Sequence, residues 1–263
     1  MPSPALLCST GPFYMLAFEH AVGSIAKAGF DGLEVMVTGD KTTQDGKALK
    51  DLAGREGLSI GSVHAPFLLL TRGVFSSDPI EKIKRSTEVA HDAGADLVVV
   101  HPPYRWQNSY ARWLEDELPS FCADNEIKIS MENMFPVWVR GRGLTFHRVT
   151  TVEDLSDFED VTLDTSHLGV SGIDVIDAFR SLQDRIAHIH LSNNLGTGRD
   201  SHSPLQTGVL PIGALLEEIA KNGFGGSIAL EMDVREHASR PAELVRVLSQ
   251  QVEHMRAKLA MKD

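Results

Sequence analysis

Ala28-Gly29-Phe30-Asp31-Gly32-Leu33-Glu34 reads as a helix end, a glycine stop, a buried Phe and the start of a strand. Lys221-Asn222-Gly223-Phe224-Gly225-Gly226 has the same form, and His91-Asp92-Ala93-Gly94-Ala95-Asp96 is a third variant. Such repetition suits a chain built of βα units. Outward from these junctions, short β-branched runs alternate with longer stretches of helical periodicity. The strand-like runs are Ala5–Ser9, Gly32–Val37, Ile60–His64, Leu97–His101, Ile127–Glu132, Val161–Asp164, Ile186–Leu191 and Ser227–Glu231. Helices are predicted over Phe18–Ala28, Asp45–Glu56, Ile80–Ala93, Ser109–Asp124, Thr151–Ser156, Val175–Leu182, Ile212–Asn222 and Pro241–Met261. Eight of each over 263 residues predict a (β/α)8 barrel, one domain spanning residues 1–263. A doubly wound open sheet is the rival architecture. It usually carries a Gly-rich loop after its first strand, and Cys8-Ser9-Thr10-Gly11-Pro12 is not a convincing one. Phe135–Val149, which holds Trp138, Arg140 and Arg142, is expected to be a loop over the barrel mouth.

Lys and Arg number 25 against 36 Asp and Glu, for a net charge of −11. That balance argues against bulk nucleic-acid binding, because a duplex repels a net anion without a local basic patch. Two cysteines, Cys8 and Cys122, are too few for a disulfide framework and do not form a metal clip. No apolar run approaches the roughly 18 residues that would cross a bilayer. Met1-Pro2-Ser3-Pro4 lacks the basic start of a signal peptide, so a cytoplasmic location is expected. Eleven histidines remain to be placed.

In a barrel the chemistry gathers at the C-terminal ends of the strands. Reading the last residue of each run gives His64, His101, Glu132, Asp164, His190 and Glu231, six of eight ends. Strands are normally depleted in acids. Any one of these residues could be a hydrogen-bonded cap. Several carboxylates crowded on one rim would repel, however, unless a cation offsets them. Neutral imidazoles beside them complete a mixed nitrogen and oxygen ligand set, which suits Zn2+, Mn2+, Co2+ or Fe2+ better than Ca2+.

Beyond the seventh strand, Gly196-Thr197-Gly198-Arg199-Asp200-Ser201-His202 places Asp200 and His202 two residues apart. In an extended loop their side chains share one side and could grip a metal. The bland alternative is a polar surface loop. His167 lies three residues past Asp164, within reach of the same mouth. His188 is one layer deeper than His190, either core or support. His20, His91 and His254 fall on helix patterns, and His147 and His237 fall in loops. Phe67, Tyr104, Trp106 and Trp138 make the mouth aromatic, which suits an enclosed polyol ring.

The segments Val63-His64-Ala65-Pro66-Phe67, Leu163-Asp164-Thr165-Ser166-His167 and His188-Ile189-His190-Leu191-Ser192 resemble the xylose isomerase-like TIM-barrel superfamily. The resemblance runs from Gly29 to Glu231. The superfamily includes sugar isomerases and epimerases, inosose-processing enzymes and the endonuclease IV branch. By resemblance to the isomerases, one metal is held by Glu132, Asp164, His190 and Glu231. Glu132 and Glu231 are then the catalytic proton acceptor and donor. By the same resemblance His167 contacts substrate and His64 and His101 help to position it, while Trp106 and Arg199 are candidate substrate-binding residues from their place at the mouth. By resemblance to endonuclease IV, a zinc cluster engages His64, His101, His167, Asp200 and His202 as further ligands. The chain departs from the ketose-epimerase pattern in having Gly196 where those enzymes carry an Arg; Arg199 is nearby but not aligned.

The resemblance implies an isomerase or epimerase of a sugar, keto-polyol or sugar phosphate, working through a metal-stabilised enediolate. The alternatives are a multinuclear zinc phosphoesterase and a metal-dependent keto-sugar lyase or dehydratase. A barrel that binds a ligand without turnover is the remaining class. The expected cofactor is a divalent metal (Mn, Zn, Co or Mg), one ion or up to three. The expected partner is a small sugar or polyol, with further copies of the chain an option; no membrane is expected, and nucleic acid is disfavoured but stays open as the partner of the phosphoesterase alternative.

Overall fold

The computed structural model describes residues 3–67 and 71–260. In chain order the elements are β1 (Ala5–Ser9), α1 (Phe18–Ala28), β2 (Gly32–Met36), α2 (Gly46–Arg55), β3 (Ser59–His64), α3 (Pro79–Ala93), β4 (Leu97–Val100), α4 (Asn108–Asp116), α5 (Leu118–Asn125), β5 (Lys128–Glu132), β6 (Val137–Val139), β7 (Arg142–Leu144), α6 (Val152–Leu155), β8 (Val161–Asp164), α7 (Thr165–Ser171), α8 (Val175–Leu182), β9 (Ile186–Leu191), α9 (Ile212–Asn222), β10 (Ser227–Leu230) and α10 (Pro241–Leu259). Eight parallel strands close in the order β1-β10-β9-β8-β5-β4-β3-β2, with helices around them. This is a (β/α)8 barrel. The glycine stops act as read: Gly29 (φ 96°) and Gly223 (φ 65°) end α1 and α9 in the left-handed region, where a side chain is strained. Among the described residues no helix is long and apolar enough to cross a membrane.

Four expectations need correction. The strands β4 and β10 end one residue before His101 and Glu231, which therefore sit on the first loop positions. Ser109–Asp124 is not one helix. It breaks between α4 and α5 because Pro119 lies in the first turn of α5, where the missing N–H is harmless. Phe135–Val149 is not wholly loop: β6 and β7 form an antiparallel hairpin, turned by Arg140 (φ 48°) and Gly141 (φ 76°). Finally, α7 starts directly at the end of β8, in a stretch for which the sequence pattern predicts no helix. The predicted last residue of the final helix, Met261, and Met1-Pro2 lie outside the described residues.

Barrel interiors are usually filled by branched aliphatic side chains. Here a polar layer lies under the mouth. Glu34, Ser62, Ser130, Thr162 and His188 are all fully buried. Ser62 donates to Glu34 Oε2 at 3.0 Å, and Ser130 and Thr162 share a hydrogen bond of 2.6 Å. Leu7 sits at a tighter level. A Cβ at Gly61 would fall 2.5 Å from Leu7 Cδ1, so a side chain there would force Leu7 to shift. The closed barrel thus supports a polar platform on an apolar plug.

Candidate metal centre

Glu132, at the end of β5, is the hub. Its Oε2 lies 3.2 Å from His64 Nε2 and 3.1 Å from His101 Nε2. Its Oε1 lies 3.2 Å from His190 Nδ1 and 3.4 Å from His167 Nδ1. His190 Nδ1 also faces Glu231 Oε2 at 3.0 Å and Asp164 Oδ2 at 3.7 Å. Glu132, Asp164, His190 and Glu231 each offer one ligand atom, and these atoms lie within 4.8 Å of one another. The same holds for His64, His101 and Glu132, for Asp164, His167 and His202, and for Glu34, His188 and His190.

Proton placement shows why the cluster fits a cation. His64 Nδ1 lies 3.0 Å from the carbonyl of Ala65, which can only accept. The neutral ring therefore carries its proton on Nδ1 and turns a bare Nε2 toward the Glu132 carboxylate. His190 repeats the arrangement: Glu34 takes the Nε2 side at 3.0 Å, and Nδ1 faces three carboxylates. Two acceptors cannot face each other without a proton or a metal ion between them. Asp164 adds a third sign. Its Oδ1 accepts the His167 N–H at 2.8 Å and so caps α7, while Oδ2 is buried without a hydrogen-bond partner.

Electrostatics agrees. Among the described residues, the ion-pair partners of Glu34, Glu132 and Asp200 are all histidines. Burial works against charge on His190, yet Glu34, Glu231 and Glu132 outweigh it and hold its pKa well above the ordinary value. His167 is raised in the same way against burial by Asp164 and Asp200. Burial opposes ionisation of Glu132, but His190 and His101 hold it well below the carboxylate range. In the protein alone, protons occupy the positions that suit a cation.

The loop after β9 brings its predicted pair in. Asp200 Oδ2 lies 2.7 Å from His202 Nε2 and 3.4 Å from His167 Nε2. Ser166 donates to Asp200 Oδ1 at 2.7 Å, and Asn194 holds both Ser166 and the carbonyl of Arg199. His202 adopts φ 38°, an uncommon conformation for a residue with a side chain. Arg199 itself is exposed on this loop. Trp106 is also exposed and stacks on Tyr104, ring centres 4.8 Å apart. Together with His101 it borders a cavity beside the centre.

Three participants escape a reading of the sequence. Glu34 is an acid in mid-strand, reaching across the lumen from β2 to β9. Its signal is that strands avoid acids, but Gly32–Met36 otherwise reads as core. Asn133 clamps Asp164 by bonding both its N–H (2.7 Å) and its carbonyl (3.0 Å). Ser166 aims Asp200, as above. His188 is core support: Nε2 lies 2.9 Å from Glu34 and Nδ1 lies 2.7 Å from Ser227 Oγ. His147, by sequence a plain loop residue, is buried and pairs with the carbonyl of Pro102 at 2.8 Å.

Comparison with known proteins supports the architecture. An uncharacterized protein of Mycobacterium leprae is 33% identical over 243 residues, covering 85% of this chain and 87% of its own. An inosose dehydratase of Lacticaseibacillus casei is 24% identical over 265 residues, covering 87% of this chain and 86% of its own. The crystal structure of a D-tagatose 3-epimerase-like protein superposes with a TM-score of 0.68 at 24% identity, over 97% of this chain and all of that one. The family profile for a xylose isomerase-like TIM barrel matches residues 22–258. With that profile spanning most of the chain and the closed barrel it describes present, the protein belongs to the xylose isomerase-like TIM barrel family.

Proposed function

We propose that this protein is a divalent-metal-dependent enzyme that moves a proton beside the carbonyl of a sugar, keto-polyol or sugar phosphate, as an isomerase or epimerase. One observation carries the reading: Nδ1 of His190 faces Glu132, Asp164 and Glu231, three carboxylates with no Lys or Arg paired to them among the described residues. Those four residues would hold the ion. When bound, the ion would supply Lewis-acid polarisation of the substrate carbonyl. Glu132 stays ionised because His190 and His101 favour its charged form, so it is ready to accept a proton. Glu231 is the more open of the two acids, its side chain 13% exposed against 3% for Glu132; His190 favours its charged form too, so it would first take up a proton and then deliver it from the other side. His64 and His101 fix the Glu132 carboxylate, and His167, 3.9 Å from Asp164 Oδ2, would contact the substrate. The same proton removal followed by loss of a neighbouring hydroxyl would be a dehydration, as the name of the Lacticaseibacillus relative suggests.

A second reading has its own observation. His64, His101 and Glu132 form a further ligand group that shares Glu132 with the first, and Asp164, His167 and His202 form another that shares Asp164. A centre with all groups filled would suit phosphoester hydrolysis. Elemental analysis of the purified protein separates the two. One ion per chain, with deuterium from solvent entering a ketose at the carbon beside its carbonyl and Glu132→Gln abolishing that exchange, is the expected result. Two or three zinc ions with phosphodiester cleavage and no exchange would overturn it.

A further inference from the structure

The cavity that His101 shares with the metal centre has an unusual lining. Its volume is about 480 Å³, which is enough for a substituent larger than a hydroxyl. Phe67 stacks on His101 on one side, ring centres 5.9 Å apart, and the Tyr104–Trp106 stack forms another wall. Among the described residues no Asp or Glu lines it, although acids outnumber bases by 36 to 25 in the chain. The charged residues that do line it are Lys82 and Arg72.

Lys82 is the telling residue. It is 4% exposed, and lysines are almost never buried to that extent unless paired. Its Nζ donates to the carbonyls of Pro66 (2.5 Å) and Thr71 (2.8 Å) and forms no ion pair among the described residues. Two carbonyls satisfy two of its three protons and leave both the third and the net charge uncompensated. Burial alone pushes its pKa down, with no carboxylate acting in the other direction. Arg72 stands exposed at the lip, also without an ion pair among the described residues. A buried cation without a counter-charge is costly to maintain, and an anion that enters with the substrate relieves that cost.

We infer that this side cavity binds an anionic substituent, a carboxylate or a phosphate, on the substrate whose carbonyl end lies at the metal centre. Lys82 and Arg72 hold the anion, and the aromatic walls pack the apolar face of the ring. The anion site stands on the cavity itself; its role as a substrate subsite rests on the function proposed above.

The test is calorimetric titration of the metal-loaded protein with inorganic phosphate and, separately, with cyclohexanecarboxylate, which cannot chelate through a neighbouring hydroxyl. At least one should bind saturably. Lys82→Met should weaken that binding by about ten-fold or more, because the buried ammonium makes a charge-assisted hydrogen bond to the anion, and Arg72→Gln by several-fold, because the exposed guanidinium is screened by solvent. Lys82→Met breaks no ion pair, and its fold is checked by circular dichroism; if it does not fold, Arg72→Gln on the exposed lip carries the test. Which of the two anions responds identifies the substituent. Failure of both to bind, or binding unchanged in the variants (as for phosphate on the ion itself), overturns the inference. The titration needs no turnover. Anion binding without carbonyl chemistry would therefore sink the proposed function and leave the cavity assignment standing.

Discussion

Glu34→Gln tests whether the deep carboxylate controls the metal centre. Glu34 is fully buried beneath the barrel mouth and acts through His190 and His188. As a carboxylate it accepts from Ser62 and from His190 Nε2, fixing the His190 proton there, and its Oε2 lies 2.9 Å from His188 Nε2. Glutamine keeps the volume but offers one acceptor oxygen and an NH2 group. That NH2 must face His188, His190 or Ser62. If it faces His190, the ring proton moves to Nδ1 and the nitrogen aimed at Glu132, Asp164 and Glu231 is lost to the ion. If it faces His188, that ring must shift its proton to Nδ1, toward Ser227 Oγ, or leave a buried donor clash that costs about 1–3 kcal/mol of stability. Loss of a carboxylate partner behind a metal-bound histidine typically costs about 10–100-fold in affinity. That corresponds to about 1.4–2.7 kcal/mol. Competition against a chromophoric chelator at pH 7.5 measures the dissociation constant, and near-ultraviolet circular dichroism checks the fold. A folded Glu34→Gln protein that binds metal within two-fold of the parent would refute the reasoning.

Two further outcomes follow from the same electrostatics. Chelator should lower the melting temperature, and the gap between loaded and stripped protein should widen as pH rises above 6.5. His190 and His167 have folded pKa values well above 6.5, so the stability their protons give the stripped protein is present below 6.5 and is lost through the folded values; scanning calorimetry from pH 6 to 9 with a constant gap would count against this. His147 behaves oppositely. Burial lowers it from 6.5 to about 4, so its contribution is present above 6.5 and falls away toward pH 4, by about 3 kcal/mol at full protonation, and His147→Gln should flatten that part of the denaturation profile.

Much of the centre is legible in the chain because barrel strands are buried on both faces. An acid or imidazole at the end of such a run stands out, as His64, Glu132, Asp164 and His190 do. The D-x-H pair also reads locally, since Asp200 and His202 need only one extended stretch to share a side. The β6–β7 hairpin does not read, because its strands are three residues each and exposed, too short for alternation to register. Nor does the helix α7, whose cap, Asp164, looks in the sequence like a strand end and ligand alone. Glu34 is hidden because nothing near it in sequence is its partner.

The sequence by itself determined the eight βα units, the polar donors at the barrel mouth and the excess of acid that a cation would offset. These follow from local periodicities of two and 3.6 residues and from residue chemistry. Tertiary structure alone decided which nitrogen of each histidine faces the carboxylates, and that Glu34 meets His190 across 156 residues of chain. It also decided that Lys82 is buried beside His101 with no acid in the cavity they share. Barrel closure sets these contacts: it joins β2 to β9 across the lumen and α3 to the β4 loop, and no local pattern encodes a distance across a closed sheet.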